Sequence, residues 1–293
     1  MNRTLRLISR HRLLFAAIVP VLLGISIVFH PPLTWQIIAL GPLVALLGLP
    51  HGALDHRVAS TLWPLITPLH HAAFIAGYIG LTIAILALWI IAPGIALAAF
   101  LIYSALHFSD DWRAELGLWQ SLPLGVSVIA LPALVFQPDV AVLFGFLTSE
   151  STATLFAYLL NKIALPAIVA SALCLLLNCR RAPWVLVEYA LLVAAAMITP
   201  PLIYFVIYFC GLHSPRHFLL TADQLGLPPV QGLRATLPIL IATLGLTVFC
   251  GAILIEFSPT FEAATLQIVF IGLAAVTVPH MLLTAMFRSV QQQ

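Results

Sequence analysis

The sequence predicts an all-α fold, a polytopic integral membrane helical bundle of about ten transmembrane helices. Three observations predict it. Of the 293 residues 62% are hydrophobic and 8% are charged, against roughly 25% charged in an ordinary soluble domain. A soluble core needs a polar shell, and this chain has almost nothing from which to build one. The apolar residues fall in runs of about 15 to 25, long enough to cross a bilayer as helices. These runs lack the strict alternation of outer-membrane barrel strands.

Taken in order, the expected spans are 13–29, 33–51, 72–92, 93–108, 122–136, 163–178, 183–199, 200–217, 236–256 and 265–287. The first follows Arg3, Arg6, Arg10 and Arg12, as a signal peptide would. No small-residue cleavage site follows it, so it reads as a retained helix. Pro93-Gly94 and Pro200-Pro201 mark tight connections between helical hairpins. The stretch 137–162 holds two short apolar pieces that read as interfacial or re-entrant. No linker interrupts the chain, and residues 1–293 read as a single transmembrane catalytic domain.

With the N-terminus placed in the cytoplasm, these spans put Arg57, Arg113, Arg180, Arg181, Arg216, Arg234 and Arg288 inside, and only Lys162 outside. The positive-inside rule therefore favours an inner-membrane, multi-pass chain with both termini cytoplasmic. The net charge of +2 and the lack of a long basic tract argue against nucleic acid as a partner. Cys174, Cys179, Cys210 and Cys250 form no paired motif and read as small hydrophobes.

Histidine at membrane depth is costly unless bonded or ligated, so its placement is informative. There are ten. His11, His30, His70 and His71 flank spans and read as interfacial. His51, His56, His107, His213, His217 and His280 fall near the inner ends of four different spans, in one layer. The spacing repeats, because His51 and Asp55, His107 and Asp111, and His213 and His217 are each four apart. On a helix such pairs share a face at about 6 Å. His-x-x-x-His can chelate one ion, and His-x-x-x-Asp pairs a ligand with a carboxylate that orients a ring N–H of its own helix or of a neighbour. A single membrane histidine serves packing as readily as ligation, but convergence of four or five points to a metal. An all-imidazole set suits iron, copper or zinc. Pro215 either kinks the eighth span or begins a new helix. Glu188 reads as a helix-terminus charge or an acid beside the site. No candidate nucleophile is found.

At Pro50-His51-Gly52-Ala53-Leu54-Asp55, His107-Phe108-Ser109-Asp110-Asp111 and His213-Ser214-Pro215-Arg216-His217, the sequence resembles the Brp/Blh-type bacterial and archaeal β-carotene 15,15′-dioxygenases. The resemblance implies cleavage of the central double bond of β-carotene by O2 to give two molecules of retinal. It also implies Fe(II) held by His51, His107, His213 and His217. Asp55 and Asp111 are then expected to orient imidazoles. His280, in the same layer but outside the motifs, is expected to support the site without ligating. Phe108, Trp112, Tyr204, Tyr208 and Phe209 are candidates for lining a polyene tunnel, with the bilayer supplying the substrate. A retinal-binding rhodopsin is a natural recipient of the product. Two other readings compete: a transporter with a His/Asp relay, and a desaturase- or hydroxylase-like metalloenzyme. The first should place its charges at the midplane of broken helices. The second should show more histidine boxes than the one present.

Overall fold

Helix after helix opens on proline, and this sets the segmentation of the chain. A proline in a first turn forfeits an N–H that has no helical acceptor, and its fixed φ suits the helix. The computed structural model describes residues 3–63 and 65–291, except for the side chains of residues 3–5, 51 and 291. In chain order the helices are α1 (Arg3–Val28), α2 (Leu33–Leu43), α3 (Asp55–Leu62), α4 (Pro68–Ile91), α5 (Pro93–Leu116), α6 (Leu118–Val135) and α7 (Gln137–Gly145). They continue with α8 (Glu150–Asn178), α9 (Pro183–Ile198), α10 (Pro201–Phe205), α11 (Ser214–Gln224), α12 (Pro229–Phe257) and α13 (Phe261–Gln291). Among the described residues there is no β-strand.

Seven of the described helices are long and apolar enough to span a bilayer, with Leu33–Gly48 and Pro183–Ile198 as shorter apolar helices. The expected segmentation differs from the structure in three places. The piece from 150 onward is the first half of α8, so Lys162 lies inside a helix and not in a loop. Its ammonium stands 5.0 Å from the centre of the Tyr158 ring. Only α7 remains as a short helix in the 137–162 stretch. The expected span 200–217 is α10, a π-helical run Val206–His213 and the start of α11.

Two packing features position the site. Gly125 on α6 lies so close to α5 that a Cβ there would collide with the Ala105 carbonyl and the Ser109 nitrogen. Small residues let helix backbones approach in this way, and here the approach holds the α5 turn that carries His107. Inside the bundle, Glu188 of α9 accepts from Trp112 Nε1 at 3.0 Å, Arg12 Nε at 3.0 Å and Arg216 Nη1 at 3.1 Å. Arg216 is 2% exposed. Its charge is thus part of the buried framework and is not a free loop cation, as the topology count had it. By contrast α4 and α12 are peripheral and leave most of their apolar side chains exposed. Ile90, Ile91 and Phe257 are among the side chains they leave exposed, as a lipid-facing surface requires.

Candidate metal centre

Four helical segments bring four imidazole rings together. His107 comes from α5, His213 from the end of the π-helical run, His217 from α11 and His280 from α13. The π-helical turn gives way to α11 at Ser214, with Pro215 in the new first turn. Pro215 thus begins a helix, and the altered winding delivers His213 and His217 to one side, a common use of π-turns at functional sites. Ser214 donates to the Gly48 carbonyl at 2.9 Å, tying this junction to the end of the α2 run. Tyr103, one turn before His107, donates to the Ala274 carbonyl at 2.8 Å and so joins α5 to α13.

The ring centroids of His107 lie 4.8 Å from His213, 5.9 Å from His217 and 5.6 Å from His280. His213 and His217 are 6.1 Å apart, and His217 and His280 4.9 Å. A metal–nitrogen bond of about 2.1 Å plus a ring radius of about 1.1 Å puts each centroid about 3.2 Å from a shared ion. Ligand rings then stand roughly 4.5 to 6.4 Å apart. The observed separations fall within that window. Among the described residues, however, no three His, Cys, Asp or Glu side chains form a ready-made metal-holding group.

The carboxylates define the donor set. Asp111 lies 3.1 Å (Oδ2) and 3.2 Å (Oδ1) from Nδ1 of His213 and accepts from the Tyr208 hydroxyl at 2.7 Å. Asp55, the first residue of α3, accepts from Nδ1 of His280 at 2.7 Å and from the Tyr78 hydroxyl at 2.9 Å. With the proton held on Nδ1, Nε2 of each ring carries the lone pair that a metal uses. This donor chemistry fits a divalent transition metal.

The expected residues fall as follows. Asp111 serves a neighbouring segment's histidine and not His107 of its own helix. His51 ends a short 3₁₀ turn, Leu49–His51, and residues 52–54 form a turn before α3. It therefore lies outside the helix that Asp55 begins. The His51 side chain lies outside the described residues. Trp112 and Tyr204 are framework residues, the latter donating to the Val128 carbonyl at 3.1 Å. Phe108 meets His213 edge-on at 4.8 Å, and Phe209 stacks on the same ring at 5.7 Å. His30 and His70 are exposed, whereas His11 binds the Gly211 carbonyl at 3.0 Å.

A cavity of about 920 Å³ opens beside this layer, walled by residues of α3, α4, α12 and α13. His280 and Asp55 form part of its inner wall, with Ile75, Tyr78, Ala235 and Leu273 among its apolar lining. None of the five aromatic tunnel candidates lines it. His56 and His71, bonded ring to ring at 3.0 Å, stand on its side. Burial, with His71 and Arg57 beside it, holds His56 below the usual imidazole range. Tyr78 and the cavity were not singled out in the sequence. A lone tyrosine in an apolar run carries no local signal, and a cavity between sequence-distant helices carries none at all.

Residues 42–288 match the family described as Beta-carotene 15,15'-dioxygenase. The chain is 32% identical over 254 residues to a protein named Beta-carotene 15,15'-dioxygenase from uncultured marine bacterium 66A03, covering 82% of this chain and 90% of the relative. No solved structure matches.

Proposed function

Because the chain belongs to the β-carotene 15,15′-dioxygenase family, we propose that it cleaves the central double bond of β-carotene with O2. The stoichiometry balances: one C40 polyene and one O2 give two molecules of all-trans-retinal, each carrying one oxygen atom. In this reading Fe(II) is held by His51, His107, His213 and His217. When bound, it would supply the one-electron chemistry that allows ground-state O2 to react with a closed-shell polyene.

The observation that carries the reading is the cavity meeting the histidine layer. Its volume of about 920 Å³ lies at the upper end of the roughly 300 to 1,000 Å³ typical of ligand sites. Its lining is mainly apolar, and two of its walls are the lipid-facing helices α4 and α12. A substrate dissolved in the bilayer reaches such a site laterally, without passing through water. Asp55 and Asp111 hold the proton on Nδ1 of His280 and His213 and fix the ring orientations. Packing of Phe108 and Phe209 against His213 excludes water from that side.

The whole chain then acts as one catalytic unit in the inner membrane, with both termini cytoplasmic, and releases retinal for a rhodopsin-type acceptor. Expression in bacteria that accumulate β-carotene tests this. The expected result is loss of pigment with retinal as the product. Shorter or longer apocarotenals as the main product would contradict central cleavage, and unchanged pigment in iron-replete, well-expressing cells would overturn the assignment.

A further inference from the structure

We infer that His280 is itself a ligand of the metal held by His107, His213 and His217; the inference rests on the reading that this layer holds a metal. The sequence alone gave His280 only a supporting place, since it follows Pro279 in an apolar helix and belongs to no histidine motif.

Two independent relationships argue for ligation. The first is position. The His280 ring lies 4.9 Å from His217 and 5.6 Å from His107, inside the 4.8 to 6.1 Å range found among the other three. A residue acting only through a ligand belongs behind one ring, and His280 instead stands beside two.

The second is a repeated arrangement. Tyr208–Asp111–His213 and Tyr78–Asp55–His280 are the same chain of hydroxyl, carboxylate and Nδ1. The two chains are built from unrelated segments, and His280 and Asp55 are 225 residues apart. Carboxylate–histidine pairs of this kind orient ligating imidazoles and raise their basicity. If Asp111 prepares His213 for a metal, Asp55 prepares His280 for the same task. A buried carboxylate gives up its hydration, and support of a mere packing residue would not offset that loss. His280 is 2% exposed and also lines the cavity. Ligation by His280 therefore puts the ion on the cavity wall, facing the space where the polyene lies.

The test uses full-length, detergent-purified protein. Iron-to-protein ratios are measured for the wild type and for His280→Ala, His280→Gly, Asp55→Asn, Tyr78→Phe and the control His30→Ala. His280→Ala is expected to lower metal affinity by at least tenfold, and Asp55→Asn by about 10-fold, with His30→Ala unchanged. Because His280 borders the cavity, added imidazole should restore metal retention to His280→Gly. After metal removal and loading of that variant with Cu(II), ¹⁵N-imidazole should give a ¹⁵N coupling in pulsed EPR that wild type does not show.

Wild-type iron content in folded His280→Ala, or no ¹⁵N coupling in copper-loaded His280→Gly, would overturn the assignment. A metal-free wild type grown with ample iron would instead overturn the metal reading on which it rests. If His280→Ala does not fold, the glycine variant and the histidine count from X-ray absorption of the wild-type iron decide. A count that drops by one in His280→Gly and is restored by imidazole supports ligation, and an unchanged count refutes it.

Discussion

Asp55 Oδ1 accepts from His280 Nδ1 at 2.7 Å, joining the first residue of α3 to the middle of α13 across 225 residues. The two are the buried polar groups through which the histidine layer reaches the cavity. Asp111 and His213 form the corresponding pair on the far side of the layer.

Replacing either carboxylate by its amide should loosen a ring without emptying the core. Asp55→Asn and Asp111→Asn are expected to lower metal affinity or turnover by about 10- to 100-fold, with folding retained. Asn keeps the shape but presents an N–H where the ring N–H needs an acceptor. Metal titration and retinal production on the two variants check this, and full activity in both would reassign the carboxylates to structural roles.

Alanine at His51, His107, His213 or His217 should abolish turnover and deplete bound metal, because each deletes a coordinate bond from a buried ion. His30→Ala and His70→Ala should leave both intact, since both residues are exposed and away from the ring cluster. Elemental analysis with a retinal assay separates the two groups.

The cavity makes a distinct prediction about substrate entry. Ala242 on α12 lines the cavity, and Ala242→Trp fills part of it while leaving every histidine in place. It should raise KM for β-carotene several-fold with metal content unchanged. Unaltered kinetics would mean that the polyene binds elsewhere.

Lys162 is the only lysine of the chain, and it lies on α8, which does not contribute to the cavity. Retinal should therefore be released and not held as a Schiff base. Borohydride treatment during turnover should leave no retinyl group on the protein; stable labelling at Lys162 would contradict the placement of the product.

Glu188 stands between the guanidinium groups of Arg12 and Arg216 and is 1% exposed. Glu188→Gln should destabilise the protein by about 3 kcal/mol, since it leaves two cations close together without their shared anion. Thermal unfolding in detergent reads the loss. Arg12 keeps Glu115 as a partner, so the double variant with Arg12→Gln should recover part of the loss by removing the repulsion between the two guanidinium groups.

Much of this was legible in the sequence because it depends on local chemistry alone. A bilayer forces every backbone polar group to be satisfied within its own segment, so apolar runs of spanning length had to be helices. The resemblance to carotenoid-cleaving dioxygenases likewise rested on short contiguous motifs around His51, His107 and His213. Partnership was a different matter. The i,i+4 spacing left open whether each carboxylate orients a ring of its own helix or of a neighbour, and the fold decides it: Asp111 serves His213 and Asp55 serves His280. Spacing records which groups share a turn, whereas hydrogen-bond partners are set by which helices cross. The crossing is decided by contacts such as Gly125 against Ala105, by the π-helical turn before Ser214 and by the framework around Glu188. Arg216 looked like a loop cation and Tyr78 drew no notice for the same reason. Their roles come from side chains 28 and 23 residues away along the chain, and only the folded bundle brings those groups within hydrogen-bond reach.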